Sequence, residues 1–425
     1  MATQSQPAPA TVDVDSNEIE AVVRRLAAIH RPSASEGERE AAEWIAGTLR
    51  DLGCEVAIEE EDSTGGYWWS VGTMSALGAI AGLLSLRSQR RRRRQGRGGF
   101  GLGRLVGLAG GALVTAGLAD DVTAGPHWFR HLFIPYRGTW NVVAETGDRN
   151  AARTLVVLAH HDAAHSGLVF HPGIGKTLAE RFPDRVEKAN TSLPFWFPVV
   201  AAPALVSIGS LLGHGIGRLV TRLGVLLGLG ATALVADIGM RDTVPGANDN
   251  LSAVAVEVHL ARALRENPVK DLRVLLVSCG AEETLQEGVM GFARRHFARL
   301  PVDHTWFLTL DTVGSPRLIL VEAEGTLQMR EYSAPFKDLI ADCAAATEVP
   351  LIRGSRARSS TDACIPNRYG YPTALIASYD QYKRLSNYHW PTDTADNLDY
   401  GTVAACARLT EAVVRRMAAE ATPPG

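Results

Sequence analysis

The sequence predicts an α/β fold, a mixed, mostly parallel central sheet sandwiched by helices and interrupted by two inserted apolar helical hairpins. Three observations predict it. Short continuous apolar runs alternate with segments of helical periodicity, as strands covered on both faces do. Histidines and carboxylates stand directly after several of these runs, where open α/β sheets place their ligands. Two long stretches almost free of charge have the length and small-residue content of membrane helix pairs.

Taken in order, the first fifteen residues lack the basic start and apolar stretch of a secretory signal and read as a frayed terminus. A helix follows at 18–29. Ser35 and Glu38 have capping-box spacing, and Ala41, Trp44, Ile45, Leu49 and Leu52 give the next helix its apolar face. Strands are expected at 54–58, 140–144, 154–159, 272–278, 305–310, 317–321 and 372–376. The remaining helices are expected at 251–264, 289–298, 335–346 and 402–417. Five cysteines without CxxC spacing read as buried free thiols.

With 43 Lys plus Arg against 46 Asp plus Glu and 46% hydrophobic residues, the 425-residue chain is neither disordered, collagen-like nor a disulfide miniprotein. Its formal charge of -3 gives no reason to expect a nucleic-acid partner, but that average conceals segregation. Residues 67–86 carry no charge, a basic run from Arg87 to Arg97 follows, and a second apolar stretch fills 98–119. Removing the eight arginines between Arg87 and Arg104 lowers the charge of -3 by eight, to -11 on the remainder. The pattern recurs at 193–217 and 223–236, around Arg218 and Arg222, with the last arm reading as short for a span.

Trp68, Trp69 and Phe195-Trp196-Phe197 read as interfacial aromatics. Membrane lipid is therefore an expected partner through 67–120 and 193–236, which either span, dock at the interface, or pack on each other or on a second subunit. If they span, the positive-inside rule puts the Arg-rich tip in the cytoplasm and the body outside; interfacial docking puts the body in the cytoplasm. Residues 1–66, 121–192 and 237–425 make up that body.

Five segments of the body offer a His or a carboxylate at strand ends or in loops: His160-His161-Asp162, Asp249-Asn250, Glu282-Glu283, Asp311 and His389 with Asp393 beyond it. Each alone is weak, since strand-end Asp and His residues are commonly caps. Their joint occurrence in order carries the reading. Two adjacent divalent cations need several carboxylates and imidazoles, one carboxylate able to bridge, and a further carboxylate off the metals can take a proton from water. His161, His165, His127, His131 and His171 are read as non-ligands, and Glu145, Asp393 and Asp396 as caps or supports of the ligands.

These motifs resemble the co-catalytic zinc peptidases typified by bacterial aminopeptidases of the Vibrio and Streptomyces type, with glutamate carboxypeptidase II as a larger relative. The resemblance covers most of the chain outside the hairpins. It implies a zinc-exopeptidase fold and two Zn2+ ions held by His160, Asp249, Glu283, Asp311 and His389. Asp249 would bridge, Glu283 would join His389, and Asp311 would join His160. Glu282 would be the general base and Asp162 would orient His160. The sequence departs from the family in the continuation Glu282-Glu283-Thr-Leu-Gln-Glu-Gly288-Val-Met-Gly-Phe292 and at Ser360-Thr361-Asp362-Ala363, and the second hairpin lies between the His160 and Asp249 positions. The expectation is a membrane-associated dizinc exopeptidase acting on peptides, most simply an aminopeptidase. A single-zinc enzyme similar to glutaminyl cyclase, or a non-catalytic receptor on the same fold, are the competing readings.

Overall fold

The computed structural model describes residues 11–96 and 99–420; residues 1–10, together with Arg97 and Gly98 of the first hairpin tip, lie outside them. Nine strands form one mixed sheet: β1 (Glu55–Ser63), β2 (Arg137–Gly147), β3 (Thr154–His160), β4 (Arg273–Cys279), β5 (Thr305–Leu310), β6 (Arg317–Glu324), β7 (Arg330–Glu331), β8 (Ile352–Ala357) and β9 (Thr373–Tyr379). The order is β1-β2-β4-β3-β5-β9-β6-β7, with β8 on β6. The centre, β4-β3-β5-β9, is parallel, while β2 and β6 join it antiparallel.

Alternation assigns the two faces. Leu155, Val157, Leu276 and Leu308 point into a large core under the helices Ser16–Ala27, Glu36–Asp51, Ser252–Glu266, Ala334–Ala346 and Tyr400–Ala419. Val156, Leu158, Leu275 and Phe307 point the other way, onto a smaller core under Glu287–His296. The helices begin where the sequence supplies caps: Asp15, Ser35, Ser333 and Asp399 each accept a backbone N–H of the first turn. The capping box at Ser35 is only half formed. Ser35 accepts from the Glu38 amide, but the Glu38 carboxylate is drawn elsewhere.

The four apolar helices, Trp68–Arg94, Leu102–Val122, Trp196–Leu212 and Ile216–Gly239, pack against one another as a bundle. Glycine makes this possible. A Cβ on Gly111 would lie 2.7 Å from the Pro203 carbonyl, and one on Gly224 2.6 Å from the Ala202 carbonyl, so the backbones meet where a side chain has no room. Three of the helices are long and apolar enough to cross a membrane. The short arm is Trp196–Leu212, at 17 residues, and not the last arm, which runs 24 residues from Ile216 to Gly239. Arg218 and Arg222 interrupt the apolar run there but not the helix.

The bundle stands on the body at one end. Tyr67, Val71, Leu118, Val122 and Ile238 form its foot, against Phe170 and Leu285 of the body. Arg130 clamps the joint. Fully buried, it lies 3.4 Å from Asp121 of the bundle and 3.2 Å from Glu287 of the body, and it donates to the Thr284 carbonyl.

Candidate metal centre

The central strands deliver the site. β3 ends on His160 and leads into Asp162, β4 ends on Cys279 just before Glu282 and Glu283, and β5 ends just before Asp311. Asp249 and His389 come from loops that close over these ends. Asp249 stands between two imidazoles: its Oδ1 is 3.2 Å from His160 Nε2 and its Oδ2 is 3.2 Å from His389 Nε2. Glu283 Oε1 also lies 3.2 Å from His389 Nε2. On the far side of His160, Nδ1 faces Asp162 Oδ1 at 3.2 Å. Asp311 follows the end of β5 and bonds to its neighbour Thr312, whose hydroxyl donates to Asp311 Oδ1 at 2.8 Å.

The set is buried, and its charges crowd one another. Burial and then the Asp249 charge push the Asp311 carboxyl up to about 7. Burial raises Glu282 well above the usual carboxylate range, His160 opposing and Glu283 adding to the shift. Burial works against a charged His389, but Glu283 and Asp249 still carry it up to about 10. Such an excess of acid around two imidazoles suits cations. The donor atoms test that directly: His160 Nε2, His389 Nε2 and Glu283 Oε1 are buried with no hydrogen-bond partner among the described residues. Donors about 2.0 Å from a tetrahedral ion sit roughly 3.3 Å apart, close to the 3.2 Å separations found. The residues fit zinc.

Supporting contacts fix each donor. Asp162 accepts from Ser33 Oγ at 2.6 Å and from the Glu282 and Glu283 amides at 3.1 and 3.0 Å. Asp393 accepts from the Asn248 and Asp249 amides at 2.7 and 3.2 Å, so it holds the Asp249 loop. The two other candidate supports stand apart. Glu145 pairs with Arg273 across the sheet, and Asp396 pairs with Arg24 at the surface. His161 faces Ser278 Oγ and His165 faces the Arg241 carbonyl, so both serve structure.

Three supports escaped sequence reasoning. Arg31, fully buried, donates to the carbonyls of His161, Pro245 and Gly246, tying the His160 and Asp249 loops together. Glu38 accepts from the Ala281 amide at 2.7 Å and from Thr139, which sets the turn before Glu282. Gln286 donates to Glu282 Oε1 at 2.9 Å and is itself held by Ser360. The donor loops also carry strain. Ala281, Leu285, Gln286, Thr312 and His389 all have positive φ without being glycine, and each such residue costs on the order of 1–3 kcal/mol.

A second grouping, His127, His131 and Glu287, lies at the bundle foot. There Glu287 is already engaged by Ser63, Thr64 and Arg130, so its carboxylate serves the joint between bundle and body.

Donor set and sheet topology suit a metal centre at the strand ends, and comparison with known proteins bears on its class. Residues 235–414 match the family model of Peptidase family M28, a stretch that contains Asp249, Glu282, Glu283, Asp311 and His389. The chain is a zinc metallopeptidase. No curated protein matches it. Among solved structures it is similar to a Zn-dependent exopeptidase from Parabacteroides distasonis (12% identity, TM-score 0.55, covering 96% of this chain and 99% of that one). It is also similar to the aminopeptidase from Aneurinibacillus sp. strain AM-1 (15%, 0.51, covering 97% and 95%). Tannerella forsythia glutaminyl cyclase is a third (14%, 0.54, covering 95% and 99%). At these identities the likeness is one of fold.

Proposed function

We propose that this protein is a membrane-associated dizinc exopeptidase that removes N-terminal residues from peptides. The observation that carries the two-ion reading is Asp249, whose two oxygens each face a different imidazole at the same 3.2 Å. His160 and Asp311 would hold one ion and His389 and Glu283 the other, with Asp249 between them. Zinc, when bound, supplies Lewis acidity to the scissile carbonyl and makes water easier to deprotonate.

The rest is work for the chain. Glu282 accepts a proton from the attacking water and passes it to the leaving amine. Burial raises its pKa above the usual carboxylate range, which favours taking up a proton, and the Gln286 amide fixes the orientation of Oε1. Asp162 keeps the His160 ring in place from the Nδ1 side, as carboxylates behind ligating imidazoles do.

The membrane part of the reading is supported by the three long apolar helices and by the outward direction of their leucines. Two measurements on purified full-length protein test the whole. Zinc content near two per chain, together with release of the N-terminal residue from a leucyl-anilide or a peptide library, is expected. A content near one with cyclisation of N-terminal glutamine would instead favour the glutaminyl-cyclase-like reading, and protein without zinc or turnover the receptor reading.

A further inference from the structure

Between His165 and the second hairpin the chain lays a covering segment beside the metal centre: Leu168–Phe170, the helix Pro172–Arg181 and the short helix Pro183–Lys188. It is fastened along its length. The Leu168 amide donates to Asp237 at the bundle foot (2.6 Å), Arg384 donates to the Pro172 carbonyl (2.9 Å), and the Arg356 amide donates to the Asn190 carbonyl (2.7 Å). Phe170 places its ring edge-on to His389, with centroids 4.6 Å apart. The segment thus covers one side of His389.

Its helix has three sides. Gly175 and Ala179 face the body, where a Cβ on Gly175 would collide with Arg384. Lys176 and Glu180 form a polar side. The third side, Ile174 and Leu178, with Phe182 just past the helix end under Arg185, is 55%, 44% and 43% exposed. Large apolar side chains left in water forgo the stabilisation of burial, so a helix facing only water has no use for this stripe.

The surroundings say what covers it. At the bundle foot Trp69 (67%), Phe195 and Phe197 point outward, as aromatics do at a membrane–water boundary. The segment that carries the stripe starts at this foot, where Leu168, itself half exposed, is hydrogen-bonded to Asp237 of the bundle.

Resting on the membrane-associated peptidase reading, we propose that Pro172–Phe182 lies in the plane of the bilayer surface, with Ile174, Leu178 and Phe182 at the acyl–headgroup boundary. The active-site mouth then opens at that surface, and the substrates are peptides tethered to or lying on the membrane.

The test uses full-length zinc-loaded protein in phosphatidylcholine vesicles, a soluble peptide, and the same peptide carrying a C-terminal palmitoyl chain. The wild type should favour the anchored peptide by about tenfold or more through effective concentration. The triple variant Ile174→Gln, Leu178→Gln, Phe182→Gln should lose most of that preference while keeping the soluble-peptide rate. Independently, a fluorophore on Leu178→Cys should be quenched by doxyl-labelled lipid and one on Glu180→Cys should not, with unsubstituted protein as the control for native thiols. An unchanged preference in the triple variant, or equal quenching at the two positions, overturns the inference. A wild type that does not float with vesicles, or that leaves the soluble peptide intact, breaks the underlying reading and takes the inference with it.

Discussion

In the α/β body the large apolar side chains, Phe292, Phe307, Phe336 and Leu155 among them, are fully buried, and charged groups such as Arg24, Arg39 and Lys176 face outward. In the bundle the arrangement is reversed. Gly78, Gly82, Ser85, Gly111 and Gly224 lie inside, while Leu77, Leu83, Leu105, Leu219, Leu226 and Leu229 point outward. On the proposed membrane-associated reading, one chain is folded against two solvents. Water rewards burying the large residues, whereas lipid is indifferent to them and leaves close backbone packing to hold helices together.

The comparison can be broken or sharpened in four places. Glu282→Gln, in the body, should keep its zinc while losing turnover by about a thousandfold or more, because only the proton acceptor is removed. Metal analysis beside a leucyl-anilide assay reads this, and an active variant would refute the assigned role. Arg31→Met should come next. It strips the carbonyls of Leu26, His161, Pro245 and Gly246 of a charged donor, for a cost on the order of 3 kcal/mol in stability, and zinc content should drop with it as the His160 and Asp249 loops separate.

Gly111→Leu probes the other region. It forces a side chain against the Pro203 carbonyl, and the bundle should lose about 1–3 kcal/mol in a detergent unfolding series while the soluble-peptide rate persists. If the rate falls in step with bundle stability, the two regions are one cooperative unit and the contrast drawn here fails.

The smallest effect is a pH dependence confined to the body's edge. Burial opposes ionisation of Glu322, but Arg353 and Lys337 overcome it and hold the carboxyl down to about 2. A depressed acid contributes stability above its unfolded value near 4.5 and loses it as pH falls through the folded value. The stability advantage of the wild type over Glu322→Gln should hence be constant above about pH 5 and shrink between 4.5 and 2, checked by urea unfolding across that range.

Three donor segments were legible because each reports on itself, an apolar strand followed closely by His, Asp or Glu; Asp249 and His389, which come from loops, were legible only through the order of the whole set. Their supports were not. Arg31 acts on Pro245 and Gly246, more than two hundred positions away, through carbonyls that carry no side-chain signature. Glu38 looked like a helix cap because its spacing from Ser35 is that of one; only the fold brings Ala281 and Thr139 to its carboxylate. β8 was missed since Ile352-Arg-Gly-Ser-Arg-Ala357 is largely exposed and shows no apolar alternation. The last bundle helix was read short because Arg218 and Arg222 end an apolar run without ending a helix.

The ladder between β1 and β2 is unbroken from Glu55 opposite Glu145 to Ser63 opposite Arg137, and the whole first hairpin is the loop that joins them. Strands so paired are about 5 Å apart, so the chain must come back to the spot it left. The second insertion likewise leaves and rejoins the body at the foot. Any passage through a bilayer is thereby made in even number, and all nine strands share one compartment. If the bundle spans, which compartment that is becomes a single binary choice, shared by every residue of the metal centre.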